Sequence, residues 1–181
     1  ATGLALWSHT YSAPGEAVYG LTRSMASDLA TFLSIPLSVK ERRRLAREPE
    51  EAGKAFDYYV TGQRFLDRID DPRGPDSAAD NFRQALRLDE DFALAHVGLS
   101  EALWQSYVDN PDAEVLDAAL VHAERAREID SEMAEAHLAL ARIYRTTGRH
   151  DEAVREVEGV LAVHPRPDRV HRELSRSYER V

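Results

Sequence analysis

Through most of this chain apolar residues recur at steps of four and three, the period of a helix that buries one stripe, and not at the step of two expected for a strand. Ala78, Phe82 and Ala85 show it, as do Ala119, Ala123 and Ala126, and again Ala153, Val157 and Val160. Between such stretches lie helix breakers and turn formers: Asp70 to Asp76 with two prolines and a glycine, Asn110 and Pro111, Gly148, and Pro165. The pattern predicts an all-α chain of short antiparallel helices over residues 50–181. The first 49 residues differ. Gly3 to Tyr11 alternates like a strand, and Ala13, Pro14 and Gly15 open an amphipathic helix with Val18, Leu21, Met25, Leu29 and Phe32 on one face. Ser38 and Glu41 make a capping box for a short second helix that Pro49 ends.

The helical part repeats itself. Residues 134–165 place Leu140, Ala141, Tyr144, Gly148, Ala153, Val157, Val160 and Pro165 at spacings that resemble one tetratricopeptide unit of 34 residues. Small Ala141 and Ala153 let the two helices of a unit approach, Gly148 supplies the positive φ that ends the first helix, and Pro165 stops the second. The preceding unit, with Leu99, Ser100, Leu103, Ala119, Ala123 and Ala126, carries seven extra residues. These are expected to form an inter-helix loop around Ser106 to Asp112, with Asn110 as cap and Pro111 in the first turn of the next helix. The earliest unit, marked by Gly62 and Phe65, has a loop near Asp70 to Asp76 about four residues longer than standard. His171, Leu174, Ser175 and Tyr178 begin a fourth. The resemblance implies a right-handed superhelix of antiparallel helix pairs, with units at about 55–92, 93–133 and 134–167 and a half unit at 168–181.

Further upstream, L-W-S-H-T-Y, the amphipathic helix, L-S-V-K-E-R-R-R-L-A-R-E-P and A-F-D-Y-Y-V-T-G-Q-R-F-L resemble the junction where a bacterial TolB-like domain runs into tetratricopeptide repeats. That resemblance implies that residues 1–49 are the remnant of an upstream domain and linker helices. It also implies a place at the C-terminal end of a serine/threonine kinase, cyclase or transcriptional regulator.

Composition narrows the function. The 181 residues are 43% apolar and contain no cysteine, which leaves no disulfide, zinc-thiolate site or thiol nucleophile and fits the cytoplasm. A net charge of -9 argues against a nucleic-acid partner, and no apolar run approaches the length of a membrane span. The charge is uneven: residues 142–181 hold nine arginines against seven acids, whereas 109–135 hold nine acids and only Arg125 and Arg127. Phosphate loops, nucleophile elbows, H-E-x-x-H and G-x-G-x-x-G are absent, so neither an enzyme nor a cofactor is expected. His96, His137 and His171 share one repeat position, which is read as helix packing and not as a metal site. Asp89, Glu90 and Asp91, like Glu50 and Glu51, are read as complements to the N-terminal dipole of the following helix.

Function then falls to the surface. The resemblance implies a concave groove lined by first helices, and it carries the partner-binding role to Tyr59, Gln63, Glu101, Trp104, Gln105, Arg142, Arg145, Arg169, Arg172 and Arg176. Aromatic and arginine side chains are common interface anchors, so the expected partner is a protein or peptide, with acidic groups facing the arginine end. Trp104 can equally pack under the inserted segment, and the arginine row can equally be a solvated end. The alternative function is regulation of an upstream signalling domain of the same chain. Tyr59 and Gln63 stand where a clamp for heat-shock chaperone tails requires lysine and asparagine, which argues against that partner. Self-association through the N-terminal strand or the uncovered end helix, as a homodimer, is a further expectation.

Overall fold

A computed structural model describes residues 25, 28, 29, 31–34, 49–68 and 70–163, and the chain divides into two compact units, 1–57 and 58–181. Six helices are bounded among the described residues: α1 (Pro49–Leu66), α2 (Gly74–Leu88), α3 (Ala93–Asp109), α4 (Ala113–Ile129), α5 (Ala134–Thr146) and α6 (His150–Val163). The described part is an all-α helical repeat. The proposed strand Gly3 to Tyr11, the short helix after Ser38 and the half unit 168–181 lie outside the described residues.

Each boundary has a local cause. Pro49 is the first residue of α1, where its missing N–H costs nothing, and Glu50 and Glu51 complement the positive helix end. Asp112 caps α4 by accepting from the Glu114 N–H at 2.9 Å. Gly148, with φ of 75°, ends α5 in a Schellman turn: its N–H donates to the Arg145 carbonyl and the Arg149 N–H donates to the Tyr144 carbonyl at 2.8 Å. The Arg149 guanidinium then covers the Tyr144 ring, 4.2 Å from its centroid.

The seven inserted residues do not form a loop. Helix α3 has 17 residues against 13 in α5, and α4 has 17 against 14 in α6. Four extra residues thus lengthen the first helix and three the second, while the connection stays as short as in the next unit. Asn110 ends α3, Pro111 stays outside both helices, and Asp112 is the cap. The inserted residues continue the apolar stripe through Tyr107 and Val115, which pack on the core. The extra residues of the first unit behave oppositely because D-D-P-R-G-P favours turns over helix: residues 67–73 form the loop, and buried Gly74 lies so close to the Phe65 carbonyl that a Cβ would sit 2.9 Å from it.

One core runs through the array. Helix α3 packs on α2, α4 and α5, and α5 packs on α3, α4 and α6. Ala78, Ala85, Ala119, Ala123, Ala139, Ala141 and Ala153 are buried at the helix crossings, with Leu99, Leu140, Ile143 and Val157 filling the space between them. Phe82 is the exception at a position where later units carry Ala123 and Val157. Its ring is fully buried against Gly62 and Gly98, where a Cβ would come within 2.7 and 2.5 Å of it.

Candidate functional site

Because α3 packs directly on α5, the first helices stand side by side and leave a concave face. A groove of about 510 Å³ opens on it. Helix α1 contributes Tyr59, Gln63 and Leu66 to its wall, and Asp67 follows just beyond its end. Helix α3 contributes Leu94, Val97, Glu101 and Gln105, and α5 contributes Glu135, Leu138 and Arg142. Of the residues singled out from sequence, the fold therefore brings Tyr59, Gln63, Glu101, Gln105 and Arg142 into one groove. The Tyr59 ring is anchored by Phe82 and Phe92, with centroids 6.0 and 5.3 Å away. Burial pushes its phenol pKa up, a hydrogen bond with Gln63 works against that, and the Glu135 charge adds to the rise.

Arg142 is not a free cation. Its Nη1 pairs with Glu101 Oε2, its guanidinium lies 4.9 Å from the centre of the Trp104 ring, and Glu101 also accepts from Gln105 Nε2 at 3.2 Å. Trp104 lies beside the groove, not in it. Its Nε1 donates to Thr146 Oγ1 at 3.0 Å, tying α3 to α5, and the ring lines a second hollow of about 630 Å³ with Phe65, Pro72, Pro75 and Val108. Val108 belongs to the turn added to α3, so Trp104 and the inserted turn border the same open hollow. Arg145 is half-buried on α5 and lines neither cavity, and Arg169, Arg172 and Arg176 lie outside the described residues.

The histidines and junction acids do structural work that sequence described only in outline. His96 Nε2 donates to the Glu90 carbonyl and His137 Nε2 to the Ser131 carbonyl, each at 3.0 Å and each spanning six residues. The other ring nitrogens reach the second helix of the unit, His96 Nδ1 to His122 Nδ1 at 3.0 Å and His137 Nδ1 to Glu156 Oε2 at 2.6 Å. These pairs are 26 and 19 residues apart, a difference equal to the inserted seven, so the internal repeat extends to its hydrogen bonds. Asp89 and Asp91 do not cap α3, whose N-cap, Phe92, makes no side-chain bond. Instead Asp89 Oδ1 accepts the Asp91 N–H at 3.1 Å, and Asp91 pairs with Arg125 of α4 at 2.8 Å.

Comparison with known proteins agrees with this geometry. A tetratricopeptide repeat family profile matches residues 112–175. The first TPR of Spaghetti (RPAP3), bound to the HSP90 peptide SRMEEVD, superposes with a TM-score of 0.59 at 15% identity, over 70% of this chain and 94% of that one. The array has the tetratricopeptide repeat fold. The TPR domain of Arabidopsis OM64 gives a TM-score of 0.59 at 14% identity, over 71% and 97% of the two chains. The MamA structure gives 0.56 at 19%, over 80% and 85%. No curated protein matches the chain in sequence. In this tetratricopeptide array the residues that sequence reasoning missed are Gly98, whose lack of a side chain seats Phe82, and the His122 and Glu156 partners on the second helices. The signal for the partners was present, since both occupy the same repeat position once the insertion is discounted.

Proposed function

We propose that this chain is a non-catalytic protein-interaction scaffold whose concave groove takes up an extended partner segment. The observation that carries the reading is the groove itself. Three first helices present half-buried Tyr59, Val97 and Leu138 beside the amides of Gln63 and Gln105, so that apolar anchors and backbone-pairing groups share one trough. The related fold bound to an HSP90 peptide supports this use of the face. A chaperone tail is not the occupant proposed, because Tyr59 and Gln63 replace the cationic and amide pair of that clamp. The resemblance of the N-terminal residues to a TolB-like junction favours a second reading, in which the array engages an upstream signalling domain of its own chain in the cytoplasm.

A random library of peptides about twelve residues long, selected on the intact chain, tests the first reading. Binders are expected, and Val97→Trp, which fills the trough, should abolish their binding while the circular dichroism spectrum is unchanged. A library that yields no binders, or binders indifferent to Val97→Trp, would overturn the scaffold reading.

A further inference from the structure

The groove does not end at its own rim. Leu66 and Gln105 line both the groove and the hollow beside Trp104, so the two cavities form one track along α3 from Leu94 to Val108. At about 1.5 Å per helical residue this track is about 21 Å long, which accommodates about six residues of extended chain. The seven-residue insertion creates its far end, since Val108 and Asp109 belong to the added turn of α3.

The charge along the track is one-sided. Six carboxylates line it, those of Asp67, Asp70, Asp71, Glu101, Asp109 and Glu135, against the guanidiniums of Arg68 and Arg142. Both guanidiniums are engaged: Arg68 lies over the Phe65 ring at 5.0 Å, and Arg142 is held by Glu101 and the Trp104 face. Among the described residues no ion pair is formed by Asp67, Asp70, Asp109 or Glu135. Like charges collected on a concave wall focus a field that concentrates cations and repels anions. Arg142 displays the matching chemistry within the chain, a guanidinium gripped at its edge by a carboxylate with an aromatic face beneath it. At the other end of the groove Tyr59 and Glu135 combine an aromatic ring with a carboxylate again, while Asp67 adds a carboxylate beside Leu66, where the groove meets the hollow.

We infer that the occupant of this track, on the scaffold reading above, is an extended basic segment of a partner protein in which lysine or arginine residues are interleaved with apolar ones. Its cations meet Asp67, Glu135 and Asp109, and its apolar side chains settle on Val97, Leu138 and Val108. This differs from the acidic partner expected at the arginine-rich end of the face: the two described arginines that line the track, Arg68 and Arg142, are already engaged, and its carboxylates are in surplus.

Three fluorescein-labelled peptides about eight residues long test the inference: one alternating arginine with leucine, one with glutamate in place of arginine, and one with glutamine. Fluorescence anisotropy should show binding of the arginine peptide alone, weakening as salt rises past about 0.2 M. Asp67→Asn with Glu135→Gln should weaken that binding about tenfold, whereas Asp117→Asn with Glu132→Gln, an equal loss of charge away from the track, should leave it within about twofold. Failure of the arginine peptide to bind, equal binding of the glutamate or glutamine peptide, or equal weakening by the two variants would overturn the basic occupant. None of these results touches the scaffold reading, which stands or falls on the library binders and Val97→Trp.

Discussion

At the scale of single residues, the position that separates the first unit from the others is Phe82. A large ring at a crossing where later units place Ala123 and Val157 is possible only because α1 and α3 each present a glycine to it. Gly98→Ala drives a methyl group into that ring, and because the ring is fully buried it has no solvent side to move toward. Urea denaturation should show a loss of about 1 to 3 kcal/mol, and Phe82→Leu in the same chain should recover part of it, giving a coupling that Phe82→Leu alone does not predict. The buried imidazoles make a second prediction. Burial pushes His96 down, and burial, the adjacent His96 and Arg83 push His122 to about 4. The folded chain therefore binds fewer protons than the unfolded one between about pH 4 and about 6.5, the unfolded histidine value. Stability is full above that window and falls as pH drops through it, by on the order of 1 to 2 kcal/mol for His122 after allowance for its exposed edge. Thermal melts of His122→Gln should show a flatter acid limb.

At the scale of elements, the two insertions show how composition decides between loop and helix. Ser106 to Asp109 and Ala113 to Val115 keep an apolar stripe in register and are helical, whereas D-D-P-R-G-P ends one helix after Leu66 and starts the next only at Gly74. Legibility was accordingly uneven: the count of seven extra residues was right, but their assignment to a loop gave Asn110 and Pro111 more weight than the stripe on either side of them. The caps are separable from packing. Gly148 has open space around its Cβ position, so the cost of Gly148→Ala is purely that of a positive φ, about 1 kcal/mol. Asp112→Ala removes the one side-chain bond at the start of α4 and should cost about 1 kcal/mol. Denaturant midpoints of the two variants and of their double should be additive, since the sites share no partner.

At the scale of the whole array, stability is carried by neighbour contacts, as in any linear repeat. Helix α3 touches three other helices of the described array, whereas α6 touches α5 alone. Hydrogen exchange should therefore be slowest in the middle of α3, around Leu99 and Ala102, and faster throughout α6; equal protection of both would mean that the array opens only as a single unit. The Arg142 pairing with Glu101 and Trp104 crosses between units, so Arg142→Met should loosen α5 against α3 more than it disturbs either helix alone.

The amino-acid sequence by itself determined the helical class, the repeat and most of its punctuation, because periodicity, small residues at crossings, Gly148 and the turn-forming D-D-P-R-G-P act over a few neighbouring residues. It also pointed to the face on which Tyr59, Gln63, Glu101, Gln105 and Arg142 meet, since repeat position maps onto helix face. What only the tertiary structure decided is who meets whom across helices. Arg142 reads as a free cation in one dimension but is closed off by residues 41 and 38 positions away, Glu101 and Trp104, and Phe82 reads as an ordinary core residue until Gly62 and Gly98 are brought against it. Such pairings depend on helix crossing angles and on the extra turn of α3, which no local pattern encodes, and they are what leave the groove with carboxylates to spare.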